Sequence, residues 1–341
     1  MKNNITMRDI AEKLGVSSVT VSKALNDKEG VSTDLKLKIK QVAEEMGYRY
    51  NTVARAMKDG RSYNIGVISP ERFTNMTQSF YLNVYQSLSK SLEQTGYYGI
   101  LHILSSNDEK SLVPPRIYSE QRVDGLIILG QVSKGYIEMM QSVNIPVVFM
   151  DFYDEKADMD AVITDNFYGA YNLTNYLIGK GHKEIGYVGN LYATSSIQDR
   201  FLGYYKSLLE HRLERNDNYV LNDRNEEGEF IDIELPDPMP TAFVCNCDQA
   251  ARLLINKLLS HGYQVPKDVS VVGFDNDTYA TIGFPGLTTV AVDVEEMART
   301  AVQFMHEKVN DPSKKFGRVQ VRGRIIYRDS VSSPVAPSEK V

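Results

Sequence analysis

Apolar positions change their period near residue 60 of this chain. Before it they recur at steps of three and four: Ile10, Ala11 and Leu14, then Val21, Ala24 and Leu25, then Leu35, Ile39, Val42, Ala43 and Met46. That spacing predicts one buried stripe on each of three short helices. Thr6 and Asp9 form a capping box for the first, which Gly15 ends; Ser17 caps the second, with Val16 outside and Val21 inside as a hydrophobic staple. Ser32 opens the third and Gly47 closes it. The run V16SSVTVSKALN26 contains a β-branched Val19-Thr20-Val21 that favours a strand on propensity alone. Cap and stripe outweigh that preference, leaving Ser18, Val19, Ser22 and Lys23 on the outward face.

After residue 60 the apolar residues come in short runs: Y63NIGVIS69, Y97YGILHIL104, G125LIILG130, P146VVFMD151, I185GYVGN190, A242FVCN246, V269SVVGFD275 and L287TTVAVD293. Helical or loop stretches separate them; Tyr81, Val84, Tyr85, Leu88 and Leu92, for example, keep helical spacing up to Gly96. Alternation of this kind predicts parallel sheets covered on both faces. It occurs twice, so the fold class is a small all-α head followed by an α/β core of two doubly wound parallel-sheet lobes. Ligands of such sheets bind beyond the carboxyl ends of the strands, here in the cleft between lobes.

Two helices joined by a tight Gly-containing turn and closed by a third form a helix-turn-helix, whose second helix lies in the major groove. A plain three-helix bundle uses the same stripes. The outward face of the second helix favours DNA: short side chains let its backbone approach base edges, and Lys23 suits guanine O6 and N7. Charge sharpens this reading. The chain carries −6 overall, yet residues 1–61 hold 12 Lys/Arg against 8 Asp/Glu, leaving 26 against 36 for the rest. A head of +4 on a body of −10 fits a nucleic-acid-binding terminus.

At 341 residues the chain has length for two or three folding units. No run approaches the roughly 18 to 20 apolar residues of a membrane span, and M1KNNITMRD9 lacks the apolar core of a signal peptide. A cytoplasmic location and no membrane partner are expected. Cys245 and Cys247, one residue apart on an apparent strand, should point to opposite faces as two buried free thiols, with neither a disulfide nor a metal site. No Gly-rich phosphate loop, zinc spacing or nucleophile context surrounds His102, His182, His211, His261 or His306. The expectation is a protein that is not an enzyme, with no catalytic residue and no cofactor.

T6MRDIAEKLGVSSVTVSKALN26 followed by Y48RYNTVARAMKDG60 resembles the amino-terminal signature of the lactose-repressor (LacI/GalR) family of transcription regulators. The resemblance continues through R122VDGLIIL129, I145PVVFMD151, G181HKEIGYVG189, D199RFLGY204 and D268VSVVGFDN276, and so covers nearly the whole chain. It implies a helix-turn-helix over residues 1–50, a hinge over 51–61 and a two-lobed effector-binding and dimerisation core over 62–341, related to periplasmic sugar-binding proteins. The N-lobe is expected at about 62–163 with 293–324, the C-lobe at about 164–292 with 325–330, and a tail at 331–341. The implied function is sequence-specific binding of a pseudo-palindromic double-stranded DNA operator as a homodimer, in repression released by a small-molecule effector, a sugar or sugar derivative.

The family's positions map onto this chain residue by residue. Ser18, Val19 and Lys23 are the implied base contacts, with Thr6, Ser17, Thr20, Ser22 and Asn51 on phosphates. In the hinge, Asn51, Ala54, Arg55 and Met57 are implied to meet DNA; Met57 stands where the family has a minor-groove leucine wedge, and Tyr50 replaces a proline. N51TVARAMKDG60 is too short for a stable isolated helix and by itself equally fits a solvated linker. For the effector, Asp151, Arg200 and Asp275 are the implied polar grips, and Phe80, Tyr81, Tyr192 and Phe274 the aromatic faces.

Two departures concern the ligand. Cys247 stands where sugar-binding members usually have Asn before Asp248, and Asn246, one place earlier, should face the other way. N222DRNEEGEFIDIELPDPMP240 is shorter than usual and reads as acidic strand-like alternation in place of an amphipathic helix. The alternative to a sugar-released repressor is a global catabolite-type regulator with a phosphorylated carrier protein as co-repressor. A sugar receptor without a transcriptional role would lack the head. S330VSSPVAPSEKV341 carries no apolar heptads, so a dimer is expected in place of a coiled-coil tetramer.

Overall fold

A computed structural model of the chain describes residues 5–48, 59–74, 79–225 and 228–334. It divides into two compact units, Met1–Arg61 and Ser62–Val341. The hinge residues Asn51, Ala54, Arg55 and Met57, and Tyr50 before them, lie outside the described residues.

In the first unit α1 spans Met7–Leu14, α2 Ser18–Leu25 and α3 Thr33–Glu45. The Thr6 hydroxyl accepts from the Asp9 amide, and the Asp9 carboxylate accepts from the Thr6 amide at 2.7 Å. Gly15, at φ 67°, turns the chain so that the Val16 N–H reaches the Ala11 carbonyl at 3.0 Å; a left-handed residue here favours glycine. Ser17 Oγ accepts from the Thr20 amide at 3.0 Å, which starts the β-branched run as a helix. Ser32 takes the cap position of α3, but its hydroxyl makes no capping bond. Asp34, in the first turn, supplies the negative charge that a helix N-terminus favours. Ile10, Ala11, Val21, Ala24, Leu25, Ile39, Val42 and Ala43 close one small core.

The second unit holds two six-stranded sheets. The first lobe contains β1 (Asn64–Pro70), α4 (Ser79–Gln94), β2 (Tyr98–Leu104), α5 (Ser106–Lys110), α6 (Arg116–Ser119), β3 (Gly125–Leu129), α7 (Lys134–Gln141), β4 (Val147–Met150) and β5 (Asp160–Thr164). The second contains α8 (Asn166–Gly179), β6 (Ile185–Val188), α9 (Ser195–Glu210), β7 (Val220–Leu221), β8 (Ala242–Cys245), α10 (Asp248–Ser260), β9 (Ser270–Asp275) and β10 (Thr288–Ala291). The chain then returns as α11 (Val294–Asn310) and β11 (Arg318–Val321) to the first lobe, and ends as β12 (Arg324–Ile326) in the second. Strand orders are β11-β5-β4-β3-β1-β2 and β12-β10-β9-β8-β6-β7. All pairings are parallel except β10 with β12. The two orders match position for position, so β4 corresponds to β9 and β3 to β8.

Each sheet is covered on both faces. Leu88 and Leu92 of α4 and Met297, Ala301 and Met305 of α11 pack on one face of the first sheet, and Tyr136, Ile137 and Met140 of α7 on the other. Leu254, Ile255 and Leu258 of α10 cover one side of the second sheet; Leu173 and Leu177 of α8 and Tyr204 and Leu208 of α9 cover the other. The chain crosses between lobes three times: after β5, after β10, and between β11 and β12. Asp165 and Asp293 stand at the first two crossings, and each caps the helix that follows, accepting from the Tyr168 amide at 3.1 Å and the Glu296 amide at 3.0 Å. No helix among the described residues is long and apolar enough to cross a membrane.

The described residues of 222–240 form no strand and hold only an isolated bridge between Arg224 and Phe230. Pro236, Pro238 and Pro240 lack the N–H that a ladder needs. Cys245 does end a strand, but Cys247 has left it and stands at the N-cap of α10, so strand alternation no longer governs its neighbour Asn246. Both cysteines are free; Cys245 is buried and Cys247 only partly so.

Candidate effector cleft and nucleic-acid interface

On the head, the face left outward by the α2 stripe is the one foreseen. Ser17, Ser18, Val19 and Lys23 are exposed, and Thr20 and Ser22 half-buried. Val19 is 65% exposed while Val21, two residues on, is fully buried. Thr6, at the start of α1, is exposed beside its Asp9 partner. The Ser17 and Thr20 hydroxyls lie 2.9 Å apart and order the first turn.

In the core, the chemistry gathers where strands of both lobes end. Asp151 follows β4 and Asp275 closes β9, the corresponding strands of the two sheets. Both residues have left-handed backbones, φ 67° and φ 109°, conformations that side-chain-bearing residues adopt at a cost and that concentrate at functional sites. The Tyr81 hydroxyl donates to Asp151 Oδ2 at 2.8 Å, but Asp151 Oδ1 and Asp275 Oδ1 are buried without a hydrogen bond. Arg200 Nη2 approaches Asp275 Oδ1 at 3.4 Å, an ion pair that lacks hydrogen-bond geometry. Burial pushes the Asp275 carboxyl up to about 8 and raises that of Asp151 as well, with Arg200 pulling both down.

Arg200 is held on every side. Its Nε donates to Asn166 Oδ1 at 2.8 Å, its Nη1 donates to the Asn246 carbonyl, and its plane lies 3.8 Å from the Phe274 ring centre. The Phe274 face is thus covered by Arg200 and does not line the cleft. Tyr192 is not part of the cleft either: it sits in the turn before α9 and is 91% exposed. Phe80, Tyr81, Asp151, Arg200, Cys247 and Asp275 do come together, around about 600 Å³ of space open to solvent.

Other lining residues were not foreseen: Phe73, Thr194, Ser196, Arg224, Phe230, Asn246, Gln249 and Asp277. Arg224 and Phe230 come from the segment read as acidic alternation; their bridge turns it into a wall, with the guanidinium 4.6 Å from the Phe230 ring centre. Asn246 is not turned away. Its Nδ2 donates to Asp223 Oδ2 at 2.7 Å and to the Val188 carbonyl at 3.0 Å, and its Oδ1 accepts from Arg224 Nη2 at 3.1 Å. The amide remains at the site and fixes Arg224. Cys247 Sγ caps α10 by accepting from the Ala250 amide at 3.5 Å, and burial pushes its thiol up to about 12, so it presents a neutral S–H. Across the cleft, Gln131 Oε1 accepts from the Ser195 amide at 3.3 Å, and the Tyr153 hydroxyl donates to Asp199 Oδ1 at 3.0 Å.

Residues 6–51 match the family described as Bacterial regulatory proteins, lacI family, and residues 174–331 match the Periplasmic binding protein-like domain. The HTH-type transcriptional regulator RegA of Clostridium saccharobutylicum is 30% identical over 335 residues, 95% of this chain and 98% of RegA. The chain belongs to the lacI family of bacterial regulatory proteins. The HTH-type transcriptional repressor PurR of Vibrio campbellii is 28% identical over 332 residues, 96% of this chain and 98% of its own. The lac repressor dimer bound to operator and the anti-inducer ONPF shares the fold, with a TM-score of 0.74 at 21% identity, over 97% of this chain and all of that one. This lacI-family member is a DNA-binding transcriptional repressor with an effector-binding domain, and its relatives are regulators, not enzymes.

Proposed function

We propose that this repressor holds a pseudo-palindromic operator as a homodimer in the cytoplasm and is controlled by a polyhydroxylated, carbohydrate-related effector bound between its lobes. The observation that carries the effector class is the pair of buried carboxylates, one per lobe, each with an oxygen lacking a hydrogen-bond donor. An unsatisfied buried acceptor costs about 1–3 kcal/mol, which hydroxyl donors of a ligand relieve. Arg200 and Gln249 offer the matching donors, and vicinal hydroxyls both donate and accept at neighbouring positions. Phe80, Tyr81 and Phe230 supply flat walls for the apolar face of a ring.

The switch follows from where those groups stand. A ligand that satisfies Asp151 and Asp275 together favours one lobe arrangement over another, and the hinge of residues 51–60 transmits the difference to the head. On DNA, Ser18, Val19 and Lys23 are assigned to base edges, Thr6, Ser17, Thr20, Ser22 and Asn51 to phosphates, and Ala54, Arg55 and Met57 to the minor groove. Lys23→Ala should weaken operator binding about tenfold without erasing preference for the operator over unrelated DNA. Gel-shift titrations on both sequences check this, and unchanged affinity removes Lys23 from the interface. For the dimer, Leu82, Tyr98 and Ile103 on α4 and the edge strand β2 are more than half exposed, an apolar patch suited to a second copy. Sedimentation should give twice the 38.5 kDa chain mass.

A pH profile tests the carboxylate reading. A folded-state value of about 8 against 3.8 means that Asp275 takes up a proton on folding. Its contribution to stability is present at low pH and lost as pH rises from about 4 to 8. An effector that donates to the carboxylate must displace that proton, so affinity should rise from pH 6 to 8, by up to about tenfold per unit, and level off above. Asp275→Asn should flatten the profile and weaken binding. The ligand for it comes from a thermal-shift screen of mono- and disaccharides, sugar phosphates and nucleosides. Stabilisation by nucleosides alone overturns the polyol reading; none at all points to a protein co-repressor.

A further inference from the structure

A second cavity adjoins the carboxylate cleft. It contains about 1070 Å³ of space open to solvent, and it shares Phe73, Thr194 and Arg224 with the first. The two differ in the chemistry they leave unsatisfied. The inner cleft has bare acceptors, Asp151 Oδ1 and Asp275 Oδ1. In the adjoining basin the single carboxylate among the described lining residues, Glu109, is already saturated: Arg72 Nη1 donates to it at 2.6 Å and the Ser133 amide at 2.6 Å.

What the basin leaves over is donors. Arg224 has a side chain only 10% exposed and sits at the junction of the two cavities. Its Nε and Nη2 are bonded to Asp223, and Nη2 also to Asn246, while its Nη1 has no partner among the described residues. Lys110, on the rim, has neither an ion pair nor a hydrogen bond from its ammonium among the described residues. Ser133 and Thr194, the N-caps of α7 and α9, also line the basin, so the positive ends of two helices open onto it. We propose that the effector is an anionic sugar: a hydroxylated ring in the carboxylate cleft carrying a phosphate or carboxylate that Arg224 and Lys110 receive in the basin. This rests on the polyol reading of the cleft and names the group that distinguishes one polyol from another.

The test is calorimetric titration of the full chain with matched pairs: glucose and glucose 6-phosphate, trehalose and trehalose 6-phosphate, sucrose and sucrose 6-phosphate, with glucuronate beside glucose to separate carboxylate from phosphate. The expected result is that at least one anionic member binds tenfold or more tighter than its neutral parent. The exposed substitution Lys110→Ala should cut that advantage about tenfold while leaving the neutral parent unchanged. Lys110→Glu should remove it. A neutral sugar that binds as tightly as its anionic partner, an advantage indifferent to Lys110, or no binding by any anionic probe overturns the proposal. The first two outcomes leave the polyol reading standing; binding of guanosine or adenosine in place of every sugar sinks both.

Discussion

Arg200→Met is expected to lower the stability of the core by about 3–5 kcal/mol above pH 8, where the Asp275 carboxyl is ionised, and to abolish effector-dependent release of operator. The side chain is 5% exposed, and its guanidinium is the cation nearest to two buried carboxyls. Removing it strips Asp275 of its main countercharge, and leaves the Asn246 carbonyl and Asn166 Oδ1 without the N–H groups they accept from. Methionine keeps most of the packing on Phe274, so the loss reports charge and hydrogen bonds more than volume. The double variant with Asp275→Asn should recover part of the stability, because the orphaned charge is gone, but none of the effector response. Urea denaturation with a matched m-value checks the first claim. A loss below about 1 kcal/mol above pH 8 would mean that Asp275 stays neutral there and the pair adds little.

Gly203→Val should destabilise the core from a position that touches no ligand. Gly203 lies on α9 where that helix crosses α8, and a Cβ there would run into the Phe167 carbonyl and come 3.0 Å from the Tyr171 amide nitrogen. Those obstacles are backbone, so no rotamer change relieves them and the helices must part. Overpacking commonly costs about 1–3 kcal/mol and more where backbone resists; here the upper end is expected. Separation also pulls Asn166, on α8, away from Arg200, on α9, whose 2.8 Å bond spans the two helices. Effector affinity should therefore fall together with the melting temperature. Gly179→Ala, at the end of α8 with open space around it, is the control and should be neutral or slightly stabilising. Equal melting of the two variants would remove Gly203 as a packing constraint.

Strands whose apolar runs are continuous were legible because both faces of their sheet are covered. β1, β3, β4, β6, β8, β9 and β10 announce themselves in this way, and β2 has a continuous apolar run although it is an edge strand that exposes Tyr98 and Ile103. β5 did not: D160AVIT164 begins with a carboxylate, buried only because Lys308 pairs with it and the Phe316 and Gly317 amides donate to it. β7, β11 and β12 lie at sheet edges; β7 has two residues, and R318VQV321 and R324II326 begin with a cation where the central strands have an apolar run. At the cleft, Asp151, Arg200 and Asp275 were found through family positions, and strand ends gave them a physical reason. Tyr192 and Phe274 were misplaced because aromatic character does not say which way a ring points or what already covers it. Arg224 and Phe230 were hidden by the alternation of residues 222–240. Alternation fixes a face only where a ladder holds the strand flat, and prolines prevent that here.

The three passages between lobes set what a ligand is able to control. Asp165 donates its amide to the Val321 carbonyl at 2.9 Å, which ties the first passage to the third, and Gly323 in the third leaves no room for a Cβ beside the Ala291 carbonyl at the second. Passages fastened side by side resemble three hinges on one door, an arrangement that would favour rotation of the lobes over sliding. Under the proposed function, an effector that spans Asp151 and Asp275 would select one angle between the lobes. Effectors of different shape would then differ in the angle at which they stop the swing, and a partial effector would correspond to an intermediate angle.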